Sequence, residues 1–156
     1  MKRTQQGAKL LELMIVIVIL GILGIVLFPV YQTHSKKLDF QQIIDATAPI
    51  KRAIEKCVYD NTCVEVSGDH PAISAAVALG AFGIPDAPPA SGKLASVVID
   101  NTIASGTIVA SATAGLDDLT YVLKPSLATG EDGSLNVMWE VDDSSTCLAA
   151  GACKKE

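Results

Sequence analysis

The chain has 156 residues, 49% of them hydrophobic and 4% aromatic, with a formal net charge of −5. That length suits one folded domain plus a membrane segment, and the acidic balance, with no basic stripe interleaved with aromatics, excludes generic nucleic-acid binding, which needs clustered cations. The signatures GxSxG, HExxH and GxxxxGK[ST] and a Gly-rich dinucleotide turn do not occur, so the residues point to no enzyme and no cofactor.

The chain opens with a short basic prefix, MKRTQQG, followed by AKLLELMIVIVILGILGIVLFPV. Leu13 to Val30 holds 18 residues and no charge. As a helix this run would span about 27 Å at about 1.5 Å per residue, enough for a membrane core. An ordinary secretory signal carries a small-x-small cleavage site after its apolar region, but here FPVYQTHSKK follows. No cysteine lies nearby to suggest a lipoprotein. Two options remain: an uncleaved anchor, or a cut before the apolar run, at Gly7–Ala8, which would leave the helix on the mature chain. Glu12 then needs a reason, because a lone carboxylate in hydrocarbon costs a few kcal/mol and intramembrane acids usually have a partner. The plain alternative is a snorkelling acid helped by the helix dipole and Lys9. Gly21, Gly24 and Pro29 also weaken a helix: glycine costs about 1 kcal/mol in its interior, and proline removes a hydrogen bond. Their plain reading is small residues on a packed membrane-helix face with a mild kink at Pro29.

In SKKLDFQQIIDATAPIKRAIEKCV the residues Phe40, Ile43, Ile44, Thr47, Ile50, Ile54, Cys57 and Val58 recur at three- and four-residue steps. Lys51 and Glu55 stand one turn apart and can pair, and Pro49 is expected to kink this half. Residues 8–58 therefore read as one long bent helix, about 75 Å end to end, with a front half for membrane or fibre core and a back half that packs on a sheet. Residues 64–92, which hold four of the seven prolines, read as a long connecting loop with a short helix near 71–80.

Four strands follow. SLNVMWEVD alternates with period two, and KLASVVID, TIVASATA and LTYVLKPSL are three further candidates separated by short links, the last of them a GEDG turn. Sequential strands with tight links favour an antiparallel meander with one face on the helix, and Trp139 is expected in the core rather than at a ligand site. Asp117/Asp118 and Asp142/Asp143 are expected as solvated turn carboxylates. The fold class is α+β: a long N-terminal helix on a four-stranded antiparallel sheet.

Four cysteines form two local pairs, Cys57/Cys63 and Cys147/Cys153, each six positions apart. An even count behind a membrane segment suggests disulfides formed outside the cytosol, with the two local loops favoured among three connectivities. Four free thiols in a core are the plain alternative. Zinc is disfavoured because the spacing is not that of a zinc knuckle and His34 and His70 lie far from either pair, so no metal site is expected. The loop closed by Cys147 and Cys153 would staple the tail to the last strand.

The residues at the front carry a resemblance. Gly7 followed by Ala8, Glu12 five positions into the shortened chain, the run LELMIVIVILGIL, and the spacing of Gly21, Pro29, Tyr31 and Pro49 from that junction resemble the prepilin signature of type IV pilins. The likeness is close over about residues 1–58. It departs at Ala8, where type IVa pilins usually have Phe, and at Lys9, which replaces a small polar residue. The resemblance implies a ladle-shaped α+β fold and three regions: a leader at 1–7, a transmembrane or fibre-core half-helix at 8–34 and a globular domain at 35–156. It implies cleavage between Gly7 and Ala8 by a prepilin peptidase and N-methylation of Ala8. The new amine of one subunit would then meet Glu12 of a neighbour, and helicity would be lost around Gly21, Gly24 and Pro29. The partners implied are a homo-polymer, an assembly platform with a secretin, and the inner membrane before assembly into an extracellular fimbrium. Adhesion, twitching motility and DNA uptake are the roles implied, and the loop between the last two cysteines would lie at the surface. A minor pilin or type II secretion pseudopilin, and a membrane-anchored periplasmic binding domain that never polymerises, are the competing expectations.

Overall fold

In a computed structural model of the chain the described residues are 4–67 and 70–155, with side chains described at all of these except 4–9, 26–34 and 67. The chain divides into two compact units, Met1–Ser35 and Lys36–Glu156. A single helix, α1, covers Thr4–Tyr59, and Pro29 and Pro49 both fall within its span. The segment expected to enter a membrane, 8–34, includes side chains outside the described ones. Among the described residues no helix is long and apolar enough to cross a membrane.

Within the second unit, Phe40, Ile43, Thr47, Ile50, Ile54, Cys57 and Val58 of α1 are buried and form one stripe, with Ile44 half-buried at its border. The polar member of that stripe, Thr47, is satisfied by donating its hydroxyl to the Ile44 carbonyl at 2.7 Å. The helix stops for a local reason. Asn61 takes a left-handed φ of 54°, its N–H donates to the Val58 carbonyl, and the Thr62 N–H donates to the Cys57 carbonyl at 2.9 Å. These two bonds form a Schellman cap, with Asn61 in the position glycine usually holds.

A hairpin of β1 (Val64–Ser67) and β2 (His70–Ile73) follows. Sequence reading had this region as loop with a short helix near 71–80, and the structure corrects both. The helix does not form because its carbonyls are taken: the Asn101 side-chain amide donates to the carbonyls of Ala75 and Val77, and the Ser74 hydroxyl accepts the Ala76 N–H. Positive φ values at Gly80, Phe82 and Gly83 then turn the chain repeatedly.

The main sheet is an antiparallel meander in the order β3 (Leu94–Ile99), β4 (Ile108–Ala112), β5 (Thr120–Thr129) and β6 (Leu135–Val141). Pro125 sits inside β5, where it pairs with Trp139 of β6. Pairing to β4 ends at Leu123, so the missing proline N–H removes no bond on that side. Phe40 of α1 meets Tyr121 of β5 edge to face, ring centres 6.4 Å apart, and Ile108, Ala110, Leu123 and Val141 complete the core over the helix stripe. Trp139 is half-buried and packs against the core cluster. β6 is the last strand of the meander, so its inner face is covered on one side only, and the indole reaches α1 by its polar edge. Glu55, expected to pair with Lys51, accepts the Trp139 N–H at 2.8 Å, while the Lys51 ammonium lies 5.8 Å from the indole ring centre.

A one-turn helix, α2 (Thr146–Ala149), and a short tail close the chain.

Candidate functional site

In the first unit the described side chains from Leu10 to Ile25 lie open to their surroundings. Every large apolar side chain from Leu10 to Ile25 is exposed, from 48% at Val16 to 77% at Ile25. A helix that is apolar on all sides is stable only where lipid or other protein surrounds it. Glu12 is exposed near the front of this surface, with no hydrogen bond or ion pair among the described residues. Gly7 and Ala8 fall within α1, though their side chains lie outside the described ones. A residue four positions behind another stands on the same helix face, so Glu12 sits one turn after Ala8. Cleavage at Gly7–Ala8 would leave an amine at that position.

Gly21 and Gly24 are helical, and a Cβ added at either would meet nothing within 4 Å. The fold of one copy thus gives no packing reason for glycine at these two positions, although each costs about 1 kcal/mol of helix stability. Pro29 lies in α1 with its side chain outside the described ones. Pro49 is exposed, and its missing N–H leaves the Asp45 carbonyl without its usual intrahelical bond.

In the second unit both cysteine pairs are disulfides, Cys57–Cys63 and Cys147–Cys153, with Cα atoms 5.5 and 5.3 Å apart. The two are built alike. Gly151 takes a φ of 64°, its N–H donates to the Leu148 carbonyl, and the Ala152 N–H donates to the Cys147 carbonyl at 2.9 Å. Each disulfide therefore starts one turn before a helix end, passes over a Schellman cap and closes six residues on. The spacing that drew attention to the cysteines is the spacing such a cap requires.

Sequence reading missed what holds the tail to the sheet. β6 pairs with β5 only as far as Leu123, leaving Thr120 to Val122 without a strand on that side. The buried Ser145 hydroxyl fills the gap, accepting the Val122 N–H at 3.0 Å and donating to the Val122 carbonyl. The Thr146 hydroxyl accepts the Thr120 N–H at 2.8 Å. Ser145 stands at the N-cap of α2 but makes no cap bond, because its oxygen is engaged by β5. A Ser-Thr pair before a cysteine was the one local signal available.

Charge at the surface is arranged in small motifs. Asp100, Asp132 and Asp142 each accept the N–H and the hydroxyl of a Ser or Thr two residues on, and these bonds, the hydroxyl first, hold all three carboxyls below their ordinary range. Lys155 bonds Asp143 at 2.8 Å and reaches Glu140 at 3.5 Å, which raises its pKa, the Asp143 bond acting most. Asp117, expected to be solvated, pairs with Lys36 at 2.6 Å. Among the described residues no group of three or more His, Cys, Asp or Glu could hold a metal ion.

No family model matches the chain. It is 40% identical over 60 residues to a type IV major fimbrial protein, FimA, of Dichelobacter nodosus, a match that spans 38% of each chain. Fimbrial protein EcpC of Eikenella corrodens is 30% identical over 146 residues, covering 90% of this chain and 84% of that one. A match of 38% identity over 60 residues, 38% of this chain and 42% of the relative, links it to the type II secretion system core protein G of Aeromonas hydrophila.

Proposed function

This chain belongs to the type IV pilin family, and we propose that it is a structural subunit, not an enzyme, that polymerises through α1 into a pilus fibre outside the cell. The observation that carries the reading is Glu12, without a partner among the described residues, on a stretch of α1 whose large apolar side chains from Leu10 to Ile25 are all exposed, and one turn behind the Gly7–Ala8 junction. Residues 1–7 act as a leader, 8–34 as the membrane and fibre-core half of the helix, and 35–156 as the displayed domain. A prepilin peptidase cuts after Gly7 and methylates the Ala8 amine. Before assembly the apolar half is held in the inner membrane, from which an assembly platform and secretin move the subunit outward.

In the fibre the Ala8 amine of one subunit meets Glu12 of a neighbour. Opposite charges a few ångströms apart attract strongly where water is excluded, and this sets the axial register, while apolar packing of the helices supplies the bulk of the affinity. The Gly21–Pro29 stretch gives up helicity there, which accounts for glycines that one copy does not require. Pro49 bends the half of the helix that carries the sheet. The fibre serves adhesion, twitching motility or DNA uptake.

Intact mass tests processing: the chain isolated from fibres begins at Ala8 and carries one extra methyl group, whereas a chain still beginning at Met1 refutes the reading. The Glu12→Ala chain is expected to enter the membrane and assemble poorly; fibres of normal length from it would remove Glu12 from the mechanism. Similarity to the type II secretion core protein G favours a second reading, a pseudopilin that builds a short fibre. Long surface fibres from this subunit expressed alone with a pilus assembly system decide for the pilus.

A further inference from the structure

Among its described residues the second unit carries charges without a partner, near opposite ends of one strand. A groove of about 290 Å³ opens beside the start of β5, with Ile44, Tyr121 and Ala152 in its wall and Lys37 and Lys154 at its rim. Both ammonium groups are exposed and unpaired among the described residues, and neighbouring carboxylates are engaged elsewhere: Asp117 with Lys36, Asp143 with Lys155, and Asp45 with Gln41. Asp39 and Asp118 have no partner, but neither lines the groove. β5 then runs from Tyr121 to the hairpin tip Gly130–Gly133, about 30 Å away at about 3.3 Å per residue.

That tip is a rigid acidic point. The Gly130 N–H donates to the Ser134 carbonyl at 2.8 Å, and a Cβ on Gly130 would lie 2.7 Å from a carboxylate oxygen of Asp132, so a larger residue there would displace that side chain. Asp132 is held by Ser134. Glu131 is exposed and meets no cation among the described residues.

We propose that the Glu131–Asp132 tip of one copy docks between Lys37 and Lys154 of the next copy, a head-to-tail contact that rests on the fibre reading. Lying about 30 Å apart along β5, the acidic tip and the basic groove cannot meet each other within one copy. Joining one copy's tip to another's groove leaves a free tip and a free groove at the ends, so the contact extends instead of closing on a pair. Such exposed charge pairs govern partner choice and the orientation of neighbouring domains more than they add affinity, while the Ala8–Glu12 pair sets the axial register of the helices.

Two measurements on full-length chains test it. Carbodiimide coupling of assembled wild-type fibres should join Glu131 or Asp132 to the amine of Lys37 or Lys154, read as a linked peptide by mass spectrometry. The separation of about 30 Å along β5 forbids that link within one copy. Glu131→Lys should lower fibre yield about tenfold, since like charges across a contact repel, and adding Lys37→Glu with Lys154→Glu should restore it. Wild-type fibres without the linked peptide, an unchanged yield from Glu131→Lys, or no recovery in the triple variant overturns the contact while leaving the fibre reading intact. Absence of any wild-type fibre removes both.

Discussion

The Trp139 indole N–H donates to the Glu55 carboxylate at 2.8 Å, joining the last strand of the meander to the helix across 84 positions of sequence. A half-buried bond to a charged acceptor contributes about 1.5–3 kcal/mol at the strong end of its class. Trp139→Phe, which keeps a ring and removes the donor, should destabilise the domain by about 1–2 kcal/mol. Glu55→Gln keeps an acceptor and should cost less than about 0.5 kcal/mol, whereas Glu55→Ala should match Trp139→Phe, with the two non-additive. Urea midpoints of the four chains check this; equal losses for Gln and Ala at position 55 would mean the bond carries no stability.

Ser145→Ala should behave as a core substitution although the residue lies in the tail. It leaves the Val122 N–H without a partner, at a cost of about 1–3 kcal/mol. Amide exchange should rise first at Val122 and Thr120, the groups held by Ser145 and Thr146. Replacing Cys147 and Cys153 together with Ser should raise exchange at the same two amides, because the clip and the hydroxyls hold the same edge.

Asp117 and Asp118 have φ values of 56° and 51° between β4 and β5, a conformation that glycine adopts at no steric cost. Asp118 has no partner, so Asp118→Gly should stabilise by about 0.5 kcal/mol, less than the full relief because glycine also loosens the unfolded chain. Asp117→Gly gains the same relief and loses the exposed Lys36 pair, itself worth up to about 1 kcal/mol, so it should be close to neutral. Thermal midpoints separate the two.

The three aspartate turns set an acid limit. Their carboxyls titrate below the ordinary value of 3.8 when folded, so folding favours the ionised form. That contribution is complete above the unfolded pKa and is lost as pH falls through the folded values. The loops around Asp100, Asp132 and Asp142 should therefore keep their hydrogen bonds at neutral pH and release them below about pH 4. Carbon-detected NMR titration of the three carboxyls would read it, and midpoints at or above that of Asp in an unstructured peptide would contradict it.

How much of this was legible beforehand follows from the range of each signal. The buried stripe from Phe40 to Val58 and the alternation in β6 are local periodicities, and both elements lie where the pattern put them, within a residue or two. The hairpin β1–β2 escaped because each strand has only four residues and the second contains Pro71. The helix expected at 71–80 failed on a contact that local pattern cannot reveal, Asn101 reaching back 24 and 26 positions to the Val77 and Ala75 carbonyls. Ser145 was hidden in the same way, by a bond to Val122 on another strand. Glu12 stands out in the sequence from its place in an apolar run, and it has no partner among the described residues.

The twin cysteine clips bear on how such a chain is made. Each closes a loop of only seven residues around a turn that its own backbone bonds already favour. Confining a loop that short removes unfolded-state entropy worth about 2.4 kcal/mol per clip. Oxidation therefore needs no distant partner and no finished sheet: the first clip can lock while the strands are still being delivered across the membrane. If the chain is the fibre subunit proposed above, it would reach assembly with the C-terminal ends of α1 and α2 already pinned.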